Sequence, residues 1–329
     1  MMEIDLLLRI AIAFLKDMDL EEFKKLVYET QFLLADINSF ETDKLPKDSI
    51  KQQNRIRQPF GTKTTEFHIT SPRYEAEILL GHILNMTRVE LHVNGKKEIS
   101  DFDKQRYFKL LAMRKNGMPL EYLTNKVSFY DLELYVDNKV LIPRPETELL
   151  VEKALKLINT YNITHFIEVG VGSGAITAAL LMNTKETCAV ATDISKEALN
   201  IAQHNIEQHG LENRCEFIES DLLSSPYLIM RKPITLLVSN PPYIANDYPL
   251  NQEVLCEPHI ALFGGQKGDE ILKKLIIQAR AKQVQFLVCE IGYDQKESMQ
   301  ETLLEAGYEA RFYQDYSGFD RGFVAKLVP

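Results

Sequence analysis

The tetrapeptide at residues 240–243, Asn-Pro-Pro-Tyr, carries the side chains of this chain that are best suited to chemistry. It follows closely on an apolar run, Ile234 to Val238, which the pattern predicts to be a buried strand. Two successive prolines cannot continue a sheet, so the strand ends abruptly and presents Asn240 and Tyr243 at its carboxyl end. In an open parallel sheet, ligands bind at that edge.

These residue types suit methyl transfer to a planar nitrogen, which is a poor nucleophile because its lone pair is delocalised. The Asn240 side-chain oxygen and the Pro241 carbonyl oxygen can each accept one N–H bond and aim the nitrogen at an electrophilic methyl group. Pro242 holds that carbonyl still, and the Tyr243 ring can stack on the planar group. Catalysis by positioning and electrostatics needs no strong base. Taken alone, the tetrapeptide is also compatible with a rigid turn that has no chemical role.

Composition restricts the class of protein. The chain has 329 residues, 45% of them hydrophobic, and a formal net charge of −9. The acidic balance argues against broad attraction to nucleic-acid phosphates, so we expect no direct nucleic-acid requirement. The four cysteines form no C-x-x-C pair, so we expect buried thiols and no metal site. No apolar run reaches membrane-spanning length, and we expect a cytoplasmic protein that does not use a membrane.

The elements that position the tetrapeptide fall into three predicted regions. Residues 1–124 are mainly helical: an extension over 1–70 with a flexible linker over 38–70, then helices over 71–124. Residues 125–150 form a β-hairpin connector with a turn at Asp137-Asn138. Residues 151–329 alternate strand and helix, which predicts a doubly wound α/β sheet with an antiparallel hairpin at its C-terminal edge. The predicted strands are 165–169, 188–193, 214–219, 234–239, 285–291, 309–314 and 322–327.

A glycine-rich loop follows the first strand of this sheet and precedes a predicted helix. Its glycines let the backbone turn tightly and approach a ligand closely. The spacing G-x-G-x-G differs from the dinucleotide fingerprint, and a carboxylate before the first glycine would repel a pyrophosphate. S-adenosylmethionine has no phosphate, and its sulfonium and ammonium groups suit a nearby carboxylate. The predicted cofactor-binding residues of the loop are Glu168, Gly170, Val171, Gly172, Ser173 and Gly174.

Further candidate cofactor contacts follow the next two strands. Asp193 lies about 20 residues past the loop, where a carboxylate can hold ribose hydroxyls, and Ile194 is beside it. Asp221 can accept a hydrogen bond from the adenine amino group, and Leu222 can cover the ring. Both carboxylates can instead cap a helix or a turn. We expect Asn240 to adjoin the cofactor as well as the substrate.

Together these motifs resemble those of class I S-adenosylmethionine-dependent methyltransferases that modify amide or amino nitrogens. The segments 118–123 (Met-Pro-Leu-Glu-Tyr-Leu), 141–148 (Leu-Ile-Pro-Arg-Pro-Glu-Thr-Glu) and 257–265 (Glu-Pro-His-Ile-Ala-Leu-Phe-Gly-Gly) make residues 71–329 similar to the HemK-type family. That family methylates the glutamine in the Gly-Gly-Gln tip of peptide-chain release factors. The resemblance implies an N-terminal helical domain that recognises the release factor, an Asn-Pro-Pro-Tyr motif that holds the substrate amide, and S-adenosylhomocysteine as product.

Several alternatives stay open at this point. Arg144 and Glu146 can line the substrate entrance or form ion pairs between domains. Adenine-amino methyltransferases of nucleic acids share Asn-Pro-Pro-Tyr, and a related enzyme modifies a ribosomal-protein glutamine, although that branch usually has Pro-Arg-Ser-Pro in the connector. A non-catalytic module that uses residues 1–70 to hold a ribosomal partner is the alternative from another class. For the assembly, we expect a monomer.

Overall fold

A computed structural model describes residues 2–16, 18, 19, 22, 23, 25, 69–228 and 234–328 of the chain. The chain divides into two compact units: residues 1–124 with 249–256, and residues 125–248 with 257–329. Residues 249–256, which the sequence analysis places with the α/β domain, therefore belong to the first unit. The linker expected before residue 69 lies outside the described residues.

The first unit is helical. Its described α-helices are α1 (Ile4–Lys16), α2 (Pro72–Leu84), α3 (Arg88–Val93), α4 (Asp101–Lys115) and α5 (Leu120–Thr124). Ser71 precedes α2, but its side chain makes no capping bond. Thr87 and Glu90 form a reciprocal capping box at the start of α3. Apolar side chains from these helices share one core, in which the Phe14 and Phe23 rings stack with centroids 3.9 Å apart.

Phe102, an apolar residue near the start of α4, lies outside the core and is 68% exposed. The buried face of α4 carries Tyr107, Phe108 and Leu111, whereas Phe102 lies on the polar face, where Arg106 sits 5.6 Å from its ring centre. The helical period separates these two faces.

The segment 249–256 is fixed within the first unit by polar contacts. Gln252 Nε2 donates to the Asn116 carbonyl oxygen over 2.8 Å. Arg114 of α4, whose side chain is buried, pairs with both Glu75 and Glu253. A buried guanidinium needs such partners, because an unpaired charge out of water is strongly unfavourable.

The second unit begins with a short hairpin, β1 (Val127–Phe129) and β2 (Leu132–Leu134). Its turn is Tyr130-Asp131, with φ of 49° and 61°, and not Asp137-Asn138 as predicted. A two-residue turn with both φ values positive matches the right-handed twist of the strands. Asp137 begins a separate turn after β2, in which its carbonyl accepts from the Val140 N–H over 3.2 Å.

Seven strands of the described chain form the central sheet: β3 (His165–Val169), β4 (Cys188–Asp193), β5 (Cys215–Glu219), β6 (Leu236–Ser239), β9 (Phe286–Glu290), β10 (Tyr308–Gln314) and β11 (Asp320–Leu327). Their order is β10-β11-β9-β6-β3-β4-β5; the five strands from β9 to β5 are parallel, and β11 runs antiparallel to both of its neighbours, β9 and the edge strand β10. Two short strands, β7 (Ile244–Ala245) and β8 (Phe263–Gly265), pair separately. The predicted class of fold is confirmed.

Helices cover both faces of this sheet. The α-helices described in the second unit are α6 (Thr147–Tyr161), α7 (Ala175–Met182), α8 (Lys196–Gln208), α9 (His259–Leu262), α10 (Glu270–Ala281) and α11 (Lys296–Glu305). Along β6, Leu236 and Val238 pack on the side of α6 and α7, and Leu237 packs on the side of α10. This alternation explains why β6 is apolar from Leu236 to Val238, since both faces of a parallel sheet are buried.

The described residues can be compared with two expectations drawn from composition. None of the four cysteines is joined in a disulfide; Cys289 is buried, whereas Cys188, Cys215 and Cys256 are only partly buried. None of the described helices combines the length and apolar character needed to cross a membrane.

Candidate active site

The glycine loop after β3 is anchored to the neighbouring strand. The N–H groups of Gly170 and Val171 both donate to the Thr192 carbonyl oxygen, over 2.8 and 2.9 Å. The Gly172 N–H donates to Asp193 Oδ2 over 3.0 Å. These bonds hold the loop open at the carboxyl edge of the sheet, where α7 begins.

A cavity of about 220 Å³ lies beside this loop, within the second unit. It brings together most of the predicted site residues, namely Glu168, Gly170, Val171, Gly172, Ser173, Asp193, Ile194, Asp221, Leu222, Asn240, Pro241 and Pro242. Gly174, Tyr243, Arg144 and Glu146 are not among the residues that line it. The carboxyl ends of β3, β4, β5 and β6 supply this lining, as the topology of an open parallel sheet requires.

The carboxyl group of Glu168 is almost completely buried, which is unusual for an ionisable side chain. It is 1% exposed, and its Oε2 accepts a hydrogen bond from the Thr177 hydroxyl of α7. Burial raises the pKa of Glu168 to about 8, although the bonds from Thr177 favour the charged form. A cationic group placed beside it would restore the carboxylate, since an opposite charge nearby lowers a carboxyl pKa.

Asp193 lines the cavity and also accepts hydrogen bonds from two backbone N–H groups nearby. Its Oδ2 accepts from Gly172 and its Oδ1 accepts from the Ser195 N–H over 2.9 Å. Ser195, not Asp193, caps α8, by accepting from the Ala198 N–H over 3.2 Å. Burial raises the pKa of Asp193, while its backbone bonds oppose that rise. Each carboxylate oxygen of Asp193 has a second lone pair, so each can still accept a hydrogen bond from a ribose hydroxyl.

Asp221 and Leu222 lie where the loop after β5 meets the cavity. Asp221 Oδ2 accepts from Lys274 Nζ of α10 over 2.7 Å, and both side chains are about half exposed. Leu222 has a φ of 53°, a left-handed backbone conformation that is uncommon for a residue other than glycine. The strained backbone turns the chain at the cavity wall, where such conformations often serve a site.

Asn240 follows β6 directly, as the tetrapeptide pattern requires. The preceding Ser239 is fully buried, and its hydroxyl donates to the Val169 carbonyl oxygen over 2.7 Å, which ties the end of β6 to β3. Asn240 Nδ2 donates to Thr147 Oγ1 over 3.2 Å. The Tyr243 hydroxyl donates to Glu290 Oε1 over 3.2 Å. Burial and the nearby Glu290 raise the pKa of Tyr243, so its phenol stays neutral.

The connector residues form contacts within the second unit. Arg144 pairs with Glu257, whose other oxygen accepts the Ile142 N–H over 3.1 Å. Glu146 is exposed and precedes α6 without making a side-chain cap. The roles predicted for Arg144 and Glu146 at a substrate entrance stay predictions.

Sequence reasoning missed the side chains that support the site. Thr177 and Lys274 hold two of the predicted carboxylates, and Thr147 and Glu290 contact the tetrapeptide. The sequence offers one indication of the role of Glu290. A carboxylate at the end of an apolar strand, 286–290, is expected to be buried and therefore to need hydrogen-bond partners.

The residues around the cavity fit S-adenosylmethionine. A Cβ atom at Gly170 or at Gly172 would meet no other atom within 4 Å, so the loop backbone is open to a ligand. Carboxylates stand along the cavity at Glu168, Asp193 and Asp221, and a cofactor without phosphates and with two cationic centres suits such a lining. A doubly wound sheet with this loop and cavity defines a class I methyltransferase.

Comparison with known proteins narrows this class. The chain matches the family models for the PrmC N-terminal domain over residues 61–124 and for the methyltransferase small domain over residues 145–262. It is 38% identical over 224 residues to the release factor glutamine methyltransferase of Dictyoglomus turgidum, covering 67% of this chain and 78% of the relative.

Two further relatives carry the same description. The protein of Koribacter versatilis is 39% identical over 228 residues, covering 68% of this chain and 80% of the relative. The protein of Chlorobaculum tepidum is 32% identical over 268 residues, covering 78% and 91%. The chain belongs to the release factor glutamine methyltransferase family.

Proposed function

We propose that this protein transfers a methyl group from S-adenosylmethionine to the side-chain amide nitrogen of the glutamine in the Gly-Gly-Gln motif of peptide-chain release factors. The observation that carries this proposal is one cavity lined both by the glycine loop and by Asn240 and Pro241. Cofactor and acceptor groups can therefore meet at the same edge of the sheet. The release-factor glutamine is proposed as the acceptor because the chain belongs to the release factor glutamine methyltransferase family.

The cofactor is held by the loop and the three carboxylates. Glu168 neutralises the methionyl ammonium group, Asp193 accepts ribose hydroxyls, and Asp221 and Leu222 contact the adenine. Val171, Ser173 and Ile194 complete the walls, and Gly174 sets the turn into α7. When bound, S-adenosylmethionine supplies an electrophilic methyl group on a cationic sulfur.

The acceptor amide is held by the tetrapeptide. Asn240 Oδ1 and the Pro241 carbonyl oxygen each accept one N–H of the glutamine amide, and the Tyr243 ring packs against its plane. These contacts orient the nitrogen lone pair for an in-line displacement and stabilise the positive charge that develops on the nitrogen. The methylated nitrogen then loses its proton readily, so no residue has to act as a strong base.

The remaining features concern partners and place in the cell. The helical unit, residues 71–124, recognises the release factor, and Arg144 and Glu146 contact it at the entrance to the site. The protein acts as a monomer in the cytoplasm, without a direct nucleic-acid requirement. A test of monomeric state by light scattering is independent of the activity.

The experiment that tests the function is transfer of labelled methyl from S-adenosylmethionine to three substrates in parallel. They are a release factor, the same factor with the tripeptide glutamine changed to alanine, and unmethylated DNA. Label on the intact factor alone supports the proposal. Label on DNA would assign the protein to the adenine-amino enzymes, and absence of both label and cofactor binding would favour a non-catalytic module.

A variant of the tetrapeptide tests the mechanism. Asn240→Ala removes the side-chain acceptor, and we expect kcat to fall by roughly 10²- to 10³-fold, as when one oriented polar contact to a transition state is lost. Cofactor affinity, measured by calorimetry, should change far less. Near-normal turnover of this variant would show that the positioning mechanism is wrong.

A further inference from the structure

A chain of hydrogen bonds runs from Asn240 to a buried carboxylate behind it. Glu290, the last residue of β9, is 1% exposed. Its Oε2 accepts from the Thr147 hydroxyl over 2.7 Å, and its Oε1 accepts from the Tyr243 hydroxyl over 3.2 Å. Thr147 Oγ1 lies 3.2 Å from Asn240 Nδ2. Helix α6, strand β9 and the tetrapeptide thus meet in one polar network.

When Glu290 is ionised, the chemistry of these groups fixes the direction of every bond in the network. An ionised carboxylate can only accept hydrogen bonds. The Thr147 hydroxyl has one proton, and that proton is directed at Glu290, so Thr147 Oγ1 must accept from Asn240. A side-chain amide can donate only through its NH2 group. The end of Asn240 that faces Thr147 is therefore the nitrogen.

The consequence concerns the other end of the same amide. Asn240 lines the cavity, and within the described part of the chain no group donates a hydrogen bond to its Oδ1. We infer that Thr147 and Glu290 are positioning residues that hold the Asn240 amide with its oxygen available to the acceptor nitrogen. If the amide were reversed, it would present NH2 to NH2, and the substrate could not be held. This inference rests on the proposed function, which assigns Asn240 to the acceptor.

The network depends on the charge of Glu290. The groups that act on this carboxylate are Arg321 of β11, Tyr313 of β10, Tyr243 of the tetrapeptide, and Glu146 and Thr147 at the start of α6. Burial raises the pKa of Glu290 to about 7, with Glu146 adding to the rise, while Thr147, Arg321 and Tyr243 oppose it. A protonated Glu290 can donate to Thr147, which frees the threonine proton for Asn240 Oδ1 and allows the amide to reverse.

The first test replaces the hydroxyl that transmits the orientation. Thr147→Val keeps the shape of the side chain but neither accepts from Asn240 nor donates to Glu290. We expect kcat for release-factor methylation to fall roughly 10- to 100-fold, as misplacement of a reacting group does, with cofactor KM unchanged. Thr147→Ser restores the hydroxyl and should recover most of the activity. Thr187→Val is the matched control, because Thr187 is also buried and, among the residues that the structure describes, its hydroxyl donates to the Ile163 carbonyl oxygen alone, over 3.3 Å.

The second test asks whether Thr147 acts through Asn240. In an Asn240→Ala background, Thr147→Val should have almost no further effect on kcat, because there is no amide left to orient. The wild-type kcat should fall as the pH is lowered through about 7, and Glu290→Gln should remove that dependence. Effects of the two substitutions that multiply independently, or a Thr147→Val enzyme with wild-type kcat, would overturn the inference.

Failure of the inference and failure of the proposed function give different results. If the wild-type protein labels no release factor, the proposed function fails before any variant is compared. If the wild type labels the factor and Thr147→Val, Thr147→Ser and wild type are equally active, only the positioning role fails. Thermal unfolding of each variant identifies a substitution that acts by destabilising the fold, and Thr147→Ser keeps the test valid in that case.

Discussion

Two glycines of one loop should respond differently to the same substitution. Gly172 and Gly174 both have positive φ, 53° and 82°. A Cβ atom at Gly172 would meet nothing within 4 Å and would project from the cavity wall. At Gly174 it would lie 3.1 Å from Ala202 Cα and 3.2 Å from Ala202 Cβ, against α8. We therefore expect Gly172 to matter for ligand binding and Gly174 for the packing of the loop on the helix.

The expected magnitudes follow from these contacts. Alanine in a left-handed conformation costs about 1–2 kcal/mol at either position. Gly174→Ala adds overpacking against α8, typically about 1–3 kcal/mol, so its free energy of unfolding should fall by about 2–5 kcal/mol in total. Gly172→Ala should lose only the backbone cost of about 1–2 kcal/mol in unfolding free energy. Its methyl group would instead crowd a cofactor bound along the loop. If that crowding costs the same roughly 1–3 kcal/mol as overpacking, the Kd for the cofactor becomes about 5- to 150-fold weaker.

The assay combines urea unfolding without cofactor and calorimetric titration with S-adenosylmethionine. We expect Gly174→Ala to show the larger loss of stability and Gly172→Ala the larger loss of affinity at a temperature where it is folded. Wild-type affinity in Gly172→Ala would refute the placement of the cofactor along this loop. Equal stability of the two variants would refute the packing argument for Gly174.

Three further predictions follow from buried or paired charges. In Glu168, the pKa of about 8 means that the free protein holds a proton on this carboxyl near pH 7. Binding of a cationic cofactor should release that proton, and calorimetry in buffers of different ionisation enthalpy should detect the release in the wild type and lose it in Glu168→Gln. Arg114→Met leaves Glu75 without its buried partner and should cost about 3–5 kcal/mol of unfolding free energy, whereas Arg106→Met, at an exposed pair with Asp103, should cost less than about 1 kcal/mol in the same denaturant titration. Asp221→Asn breaks a half-exposed pair with Lys274, so stability measured by thermal unfolding should barely change, while cofactor Kd should weaken if Asp221 contacts the adenine.

Much of the second unit was predictable because its signals are local. The strands at 165–169 and 188–193 have the predicted bounds, since apolar runs between glycine, proline and polar residues leave little freedom. The position of Asn240 at a strand end followed from the proline pair alone. The glycine content of the loop likewise predicted that its backbone would lie beside a ligand cavity.

The features that sequence reasoning missed depend on distant partners. In the hairpin, Phe129 pairs with Leu132, so the turn lies at Tyr130-Asp131. The sequence analysis placed the turn at Asp137-Asn138 instead, because Asp and Asn favour turns and this pair lies shortly after β2. The contact of Glu290 with Thr147 joins residues 143 positions apart in the chain. No periodicity reports such a pair, and the same holds for the attachment of residues 249–256 to α4.

Mass spectrometry can localise the methyl group on a release factor treated with this protein and S-adenosylmethionine. We predict one added methyl, on the side-chain nitrogen of the glutamine in Gly-Gly-Gln, and its loss when the protein carries Asn240→Ala. A methyl group on another residue of the factor, or equal modification by the Asn240→Ala variant, would contradict the proposed function and its mechanism.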